Sequence, residues 1–406
     1  MRIKPFKALH PPSELAAQVA AVPYDVVDTQ EAAELARGNP WSFLHVTRPE
    51  IDLPTGTDPH GEAAYRQGAE AFEMFRLKKI LLEEPQPCYY LYRLIMKGRV
   101  QTGLVACCAV DDYREEIIKT HEKTRQDKED DRTRHIDRVN AHDEPIFVTY
   151  RDRPEIDTQV AAILGTQPMY DFTPSDGIRN TLWRVNRTEA LTRAFADVPT
   201  AYIADGHHRS AASVRIAIER RKRETRPGAD REYNWFMAVI FPAQQLKILP
   251  YNRCVRDLNG LTPAQFLERV REKFVVTPGA PACPDRPGHV SVFLEGHWLD
   301  IGWPPPESRD PIASLDVTVL QDRLLAPILG IRDPRTDQRI EFVGGIRGTA
   351  ELEERVKSGR SAVAFSMYPT QVEQMMAIAD AGQIMPPKST WFEPKLRSGL
   401  FVHALE

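Results

Sequence analysis

The sequence predicts an α+β fold divided between two lobes, and three observations lead to this prediction. Stretches with the pattern of β-strands alternate along the chain with stretches of helical periodicity. The chain has 406 residues, whereas a single hydrophobic core rarely grows beyond about 300 residues. Hydrophobic residues make up 42% of the chain and charged residues 27%, so the composition supplies a core and excludes the disordered and fibrous classes.

Composition and site motifs together suggest three segments. We expect a main, site-bearing domain over residues 1–260 and a second α/β domain over residues 261–382. A C-terminal segment, residues 383–406, is expected to return to the site, because functional groups are commonly gathered from loops that are distant in sequence.

The first lobe opens with a short helix at residues 29–37 and a longer one at 61–82. Two β-hairpins follow from turn signals: Lys97-Gly98 separates strands at 89–96 and 100–110, and Asp176-Gly177 separates strands at 169–173 and 178–185. Residues 119–138 are so densely charged that we expect an exposed segment, followed by a strand at 145–150. A helical turn or two is expected at 191–196.

A buried strand at residues 200–204, a polar turn at 205–209 and a helix at 210–221 form the most informative unit. An exposed connection at 222–231 and a strand at 234–241 follow. Thr262 is a good N-cap for a helix that extends to residue 274. Beyond it we expect strands at 289–294 and 298–303, a helix at 317–329 and a strand at 339–343.

Charge and hydropathy exclude several classes of partner. Lys and Arg number 53 against 57 Asp and Glu, for a formal net charge of −4, so no overall positive field exists to hold nucleic acid. No apolar stretch approaches the roughly 18 residues of a membrane span, and the start lacks a signal peptide, so we expect a cytoplasmic protein without membrane contact. The five cysteines form no C-x-x-C pair and are expected to be reduced.

The turn Asp205-Gly206-His207-His208-Arg209 is the leading site candidate. A helix N-terminus offers unpaired N–H groups and a positive dipole end, and Gly206 lets an anion approach them. Arg209 is suited to clamp phosphate oxygens, and Asp205 to hold a magnesium-bound water or a hydroxyl. The alternative is that Asp205 only caps the helix and the histidines are surface residues; two consecutive histidines rarely bind one metal ion.

His121-Glu122-x-Thr124, followed by Asp130-Asp131-Arg132, is the second candidate. It is not the zinc-protease motif H-E-x-x-H, because residue 125 is Arg. A glutamate such as Glu122 is a suitable general base for a substrate hydroxyl, although a solvated charged loop explains this segment equally well.

Near the C-terminus, Lys388 and Ser389 lie in a Pro-rich turn that is suited to contact phosphates. The turn lacks the glycines of a P-loop. The G-x-S-x-G elbow of hydrolases and the dinucleotide motif G-x-G-x-x-G are also absent from the sequence.

Five segments together resemble the family known as domain of unknown function 1015. They are Arg2-x-x-Pro5-Phe6-Lys7-Ala8-Leu9, Pro23-Tyr24-Asp25-Val26, His121-Glu122-x-Thr124, Ala204-Asp205-Gly206-His207-His208-Arg209, and Met385-Pro386-Pro387-Lys388-Ser389-Thr390-Trp391-Phe392-x-Pro394-Lys395. The central turn is also similar to the signature of the ParB and sulfiredoxin-like superfamily, in which such a turn binds nucleotide phosphates. The resemblance implies a mixed-sheet nucleotide-binding core with an additional α/β lobe.

That superfamily includes kinases of free serine. Sulfiredoxins carry a reactive cysteine where this chain has His207, and ParB proteins add a helix-turn-helix module for which the sequence gives no signal. The resemblance therefore implies transfer of a phosphoryl group from ATP or ADP, with Mg²⁺, to the hydroxyl of L-serine. A non-catalytic nucleotide-binding regulatory protein and a nucleotide hydrolase are the alternatives, and the oligomeric state, including a homo-oligomer, stays open.

The residue assignments that go with this kinase hypothesis fall into three groups. The catalytic residues are Glu122, Asp205 and His207; the nucleotide-binding residues are Gly206, His208, Arg209, Lys388 and Ser389; the substrate-binding residues are Asp25, Arg125 and Arg132. No residue is assigned as a metal ligand. Asp25 and Asp131 remain alternatives to Glu122 as the base, because spacing alone does not choose among them.

Overall fold

The computed structural model describes residues 1–224, 228, 230–304, 308 and 310–406, and the chain divides into two compact units. The first unit comprises Met1–Leu246 together with Pro394–Glu406, and the second comprises Lys247–Glu393. The division falls after Leu246 rather than at the expected residue 260, because Tyr251–Val255 pairs with strands of the second unit. The expected C-terminal segment 383–406 is shared between the units. Of the expected connection at 222–231, residues 225–227 and 229 lie outside the described residues.

The first unit contains the following strands and helices in chain order: β1 (Ile3–Lys4), β2 (Leu9–His10), α1 (Ala16–Val19), α2 (Thr29–Ala36), α3 (Leu44–Thr47), α4 (Glu62–Leu77), β3 (Leu82–Glu83), β4 (Tyr89–Met96), β5 (Arg99–Ala109), α5 (Val110–Arg114), β6 (Ile118–Lys119), α6 (Gln126–Val139), β7 (Ala141–His142), β8 (Ile146–Tyr150), α7 (Pro154–Leu164), β9 (Tyr170–Phe172), β10 (Arg179–Val185), α8 (Glu189–Ala196), β11 (Ala201–Asp205), α9 (His207–Arg223) and β12 (Trp235–Pro242).

Short 3₁₀ helices occur at Tyr24–Val26, Pro49–Asp52, Glu232–Asn234 and Ala243–Gln245.

A mixed sheet forms the centre of the first unit, and the predicted α+β class is confirmed. Its strands run in the order β6-β11-β8-β12-β5-β4-β10-β9, and β1 pairs with β5. The pairs β6–β11 and β8–β12 are parallel, whereas the other pairs are antiparallel. Both predicted hairpins are present as β4–β5 and β9–β10. Apolar residues of α7, α8 and α9 join the sheet in one buried cluster, which fixes β11 and α9 as a rigid support.

The charged stretch at residues 119–138 is not the exposed segment that its composition predicted. Most of it forms α6, in which Asp131, Arg132 and His135 are buried together with Ile136. Buried charges are tolerated when they are paired and hydrogen-bonded. Arg132 pairs with Asp131, and His135 pairs with Asp143. Asp131 and Arg132 are neighbours in sequence, but Asp143 and the further partners of Asp131, Tyr65 and His60, are brought to α6 by folding, and composition alone does not reveal them.

The second unit contains β13 (Ile248–Leu249), β14 (Tyr251–Val255), α10 (Pro263–Arg271), β15 (Val275–Pro278), β16 (His289–Leu294), β17 (His297–Gly302), α11 (Asp316–Leu320), β18 (Ile340–Gly344), α12 (Ala350–Lys357), β19 (Val363–Met367), α13 (Val372–Asp380) and β20 (Trp391–Phe392). A π-helix at Gln321–Leu325 continues α11, and a 3₁₀ helix lies at Gly345–Arg347.

Its larger sheet has the order β15-β17-β16-β19-β14-β18, with antiparallel pairing throughout. The expected N-cap Thr262 begins α10 in a capping box with Gln265.

Strand β21 (His403–Ala404) belongs to the first unit, where it pairs with β7. Within the described ranges of the chain, no helix is both long and apolar enough to cross a membrane. The five cysteines are free thiols, of which Cys283 is exposed and the other four are buried.

Candidate functional site

The leading candidate turn connects β11 to α9. Strand β11 ends at Asp205, Gly206 adopts a left-handed conformation (φ 89°, ψ 33°), and α9 begins at His207. The helix thus starts before the expected residue 210, and His207, His208 and Arg209 form its first turn. Gly206, the N-cap residue, has no side chain to satisfy the N–H groups of this turn, and unpaired N–H groups at a helix N-terminus bind anions.

Gly206 also has a structural reason to be glycine. A Cβ atom built at this position would lie 3.1 Å from both Cζ and Nε of Arg209. The positive φ angle is itself a conformation that side-chain-bearing residues rarely adopt. The turn therefore requires glycine for its backbone and for the guanidinium group that packs over it.

Asp205 lies between two cations. Its Oδ2 atom is 3.4 Å from Nζ of Lys395 and 3.5 Å from Nη2 of Arg209. Burial acts to raise the pKa of Asp205, but the charges of Lys395 and Arg209 outweigh it and hold the pKa below its ordinary value. Lys395 was not among the predicted site residues, although it closes the C-terminal motif that carried the family resemblance.

Arg209 is buried rather than exposed, with a side chain 8% accessible to solvent. Its Nη1 atom donates a hydrogen bond of 2.6 Å to the carbonyl oxygen of Pro145. Burial acts to lower the pKa of Arg209, but the carboxylates of Glu144, Asp25 and Asp205 raise it above its ordinary value. The guanidinium group thus helps to hold the turn, and its positive charge lies at the first turn of α9.

Glu122 and His207 come from separate elements and meet at this turn. Oε2 of Glu122 lies 3.6 Å from Nδ1 of His207, and the Glu122 side chain is 53% exposed whereas that of His207 is 4% exposed. Burial, reinforced by the neighbouring His121, lowers the pKa of His207 well below its ordinary value. We therefore interpret the contact as a polar contact between a carboxylate and a neutral imidazole rather than an ion pair.

His121 adds a second buried imidazole. Its ring meets that of His207 edge-on, with centroids 4.4 Å apart. Burial lowers the pKa of His121 to about 4. Within the part of the chain that the structure describes, Nε2 of His207 has no hydrogen-bond partner. A buried polar atom without a partner carries a desolvation cost.

His208 joins the predicted residues Arg125 and Asp25 to the site. The backbone N–H of Arg125 donates to Nε2 of His208 at 3.2 Å, so this nitrogen accepts and the imidazole is in its neutral form. Burial lowers the pKa of His208, and the negative charge of Asp25 opposes that shift. The guanidinium group of Arg125 itself points to Asp127, at 2.7 Å, on the exposed surface.

Arg132 is buried in a network of its own. Its guanidinium group lies 3.8 Å from the ring centroid of Tyr24 and pairs with Asp131 at 2.8 Å. Asp131 also accepts hydrogen bonds from Tyr65 and His60, each at 2.8 Å. Although burial acts to raise it, these partners hold the pKa of Asp131 at about 2. Asp131, one alternative for the general base, is thus engaged by three donor side chains and stabilises the surroundings of the site.

A small cavity with both polar and apolar walls adjoins this network. Both Arg132 and Arg209 line it, as do Asp143 and Glu144. Glu144 accepts hydrogen bonds from the backbone N–H of Tyr24 and from the hydroxyl of Ser398. The sequence analysis did not predict Tyr24 or Glu144 as site residues. The Pro-Tyr-Asp motif was a signal that pointed to Tyr24, whereas no sequence signal pointed to Glu144.

Lys388 and Ser389 belong to the second unit. Nζ of Lys388 lies 5.4 Å from the ring centroid of Tyr251, and its carbonyl oxygen accepts a hydrogen bond from Arg253. The hydroxyl of Ser389 donates to the carbonyl oxygen of Pro386 at 2.7 Å. The phosphate contacts expected of these two residues stay a prediction.

The carboxylates offer no metal cage made by the protein. In the described ranges, no three His, Cys, Asp or Glu side chains are arranged to hold a metal ion. Mg²⁺ in nucleotide-dependent enzymes is commonly held by one or two carboxylates together with the phosphates of the substrate. Asp205 and Glu122 are the carboxylates that fit this second arrangement.

Comparisons with known proteins give a family and a set of distant folds. The model of the family described as a protein of unknown function, DUF1015, matches residues 3–318. The search of curated proteins gives no match. Among solved structures, a free serine kinase in complex with AMP is 14% identical, covers 73% of this chain and 91% of its own, and has a TM-score of 0.36.

Two further structures are similar at the same level. A variant of the free serine kinase in complex with ADP is 13% identical over 73% of this chain and 92% of its own, with a TM-score of 0.36. SbnI from Staphylococcus aureus, truncated at its C-terminus, is 11% identical over 74% of this chain and 87% of its own, with a TM-score of 0.40. Likeness at this level carries no argument about activity.

Proposed function

The chain belongs to the DUF1015 family, and we propose that it is a kinase that transfers a phosphoryl group from ATP or ADP to the hydroxyl of a small acceptor. Free L-serine is the acceptor that the motif resemblance implies. The observation that carries the proposal is the position of Asp205, which lies between Lys395 and Arg209 at the N-terminus of α9.

This arrangement is suited to phosphate for reasons of charge. Lys395 and Arg209 supply positive charge at the turn and the dipole of α9 adds to it, whereas the carboxylates of Asp205, Asp25 and Glu144 oppose it. Phosphoryl transfer requires mainly positioning and neutralisation of charge on the transferring group. In the proposed complex, the first-turn N–H groups and His208 contact the phosphates, and the buried charge of Arg209 supplies a fixed positive potential.

Glu122 is the proposed general base. Its exposed carboxylate takes the proton of the acceptor hydroxyl, the hydroxyl oxygen forms a bond to the terminal phosphorus, and the bond to the bridging oxygen breaks with its electron pair leaving on the nucleotide. The neutral His207, 3.6 Å away, positions Glu122 without neutralising its charge. Mg²⁺, brought by the nucleotide, would be held by Asp205 or Glu122 and would shield phosphate charge.

Recognition of the acceptor is proposed for the side of the turn that faces Asp25. The negative charge of Asp25 raises the pKa of Arg209 and opposes the lowering of the pKa of His208, and this supports the proposal. An exposed carboxylate there is suited to bind the ammonium group of an amino acid. Arg132 is buried and engaged by Asp131 and Tyr24, so its predicted role in binding the carboxylate group stays a prediction.

Phosphorus NMR of the protein with Mg²⁺, ATP or ADP, and L-serine tests the proposal. Phosphoserine should form with serine present, and Glu122→Gln should abolish its formation while sparing nucleotide binding. Glu155→Gln is the matched control, because Glu155 is an exposed residue of α7 outside the site; it should keep full activity.

Three other outcomes would redirect the proposal. Inorganic phosphate formed equally with and without acceptor would indicate a nucleotide hydrolase. Nucleotide that binds but stays unchanged with serine and with a panel of hydroxylated metabolites would indicate a regulatory binding protein. An active Glu122→Gln variant would remove Glu122 from the role of base.

A further inference from the structure

Lys395 reaches the site from a segment that the fold anchors firmly. Pro394–Glu406 belongs to the first unit. Ser398 and Ala21 exchange two backbone hydrogen bonds, of 2.9 and 3.1 Å, and Val402 and Leu9 exchange two more, of 2.8 and 2.9 Å. These bonds hold the chain that follows Lys395 to the first unit.

The two cations at Asp205 differ in where they lie. Arg209 packs over Gly206 and donates to Pro145, so moving it would disrupt the turn. Lys395 has a side chain that is 19% exposed, and its ammonium group lies 3.4 Å from Asp205. A lysine ammonium group is a point charge with three donors on a flexible four-carbon stem.

We propose that Lys395 is a phosphate-binding residue of this site: Asp205 holds its ammonium group near the N-terminus of α9, where the group contacts the phosphate chain of the bound nucleotide. This inference rests on the proposed function and deepens it. As the bond to the leaving nucleotide oxygen breaks, negative charge collects on that oxygen and on the transferring group, and the ammonium group neutralises it without giving up a proton.

The test compares the binding of ATP and adenosine by isothermal titration calorimetry. Loss of a charge-assisted contact to phosphate costs about 1.5–3 kcal/mol, or a factor of about 10 to 100 in affinity. Lys395→Met should therefore weaken ATP binding by at least about tenfold and leave adenosine binding within about twofold of the wild type. Lys395→Arg should recover part of the loss, and Lys7→Met, at an exposed lysine, should bind as the wild type does.

A purely structural role for Lys395 would weaken the binding of both ligands equally, and that result would overturn the inference. Unchanged ATP binding by Lys395→Met would overturn it as well. Should this variant fail to fold, acetylation of wild-type lysines, followed by mass spectrometry, provides the measurement. ATP should protect Lys395 and adenosine should not; equal labelling in the two samples would contradict the proposal. If the wild type neither binds ATP or ADP nor transfers phosphate, the proposed function itself fails.

Discussion

Replacement of Gly206 by alanine gives the sharpest test of the turn. Gly206 has φ 89°, and the added Cβ would lie 3.1 Å from Cζ and Nε of Arg209. Two costs are therefore expected. The left-handed backbone costs an L-residue about 1–2 kcal/mol, and crowding of a buried neighbour commonly costs a further 1–3 kcal/mol, roughly.

Gly56 provides a matched control for the first cost. Its φ is 90°, and a Cβ atom built there meets nothing within 4 Å. Gly56→Ala should therefore lower the free energy of unfolding by about 1–2 kcal/mol. Gly206→Ala should lower it by about 2–5 kcal/mol, because Arg209 must also move.

Urea denaturation followed by circular dichroism measures both variants under the same conditions. Binding of ATP to folded Gly206→Ala should also weaken, because the displaced guanidinium group no longer holds Asp205 and the first turn in place. If Gly206→Ala lowers the free energy of unfolding no more than Gly56→Ala does, the packing of Arg209 over Gly206 does not contribute to stability, and Gly206 is not required by its contact with Arg209.

Two further predictions concern the buried pair beside the site. Arg132→Met should lower the free energy of unfolding, measured by urea denaturation, by about 3–5 kcal/mol, because it leaves the buried Asp131 without its cation. Arg134→Met, at an exposed position of the same helix, should change the free energy of unfolding little. Similar losses in the two variants would contradict the pairing. The pKa of Asp131 is held at about 2, below its ordinary 3.8, so its contribution to stability is complete above the ordinary pKa and is lost as the pH falls toward the folded-state value. The stability difference between wild type and Asp131→Asn should therefore shrink as the pH falls from about 4 to about 2. A difference that stays constant with pH would contradict the lowered pKa of Asp131.

The site shows which features can be inferred from local sequence. The strand, glycine turn and helix around Asp205 follow from an apolar run, a Gly and helical spacing, all within one stretch of chain. Thr262 and the two hairpins were inferred on the same basis and are present in the structure. Local backbone preferences act over a few residues, so a short stretch of sequence is enough to predict them.

Other features depend on contacts between distant residues. The charged stretch that became α6 looked exposed, because its burial depends on partners such as Tyr24 for Arg132. Arg209 was predicted to clamp phosphate oxygens, and only the structure shows that its side chain is buried and donates to the carbonyl oxygen of Pro145.

The sequence by itself determined the α+β class, the turn at Asp205 and the motifs that place the chain in its family. Only the tertiary structure decided that Lys395 contacts Asp205, that Glu122 meets His207 and that Asp131 accepts hydrogen bonds from Tyr65 and His60 inside the fold. The physical reason is that a charge becomes compatible with burial only when another part of the chain supplies its partner. Which part supplies it depends on how strands and helices pack, and local patterns do not encode that.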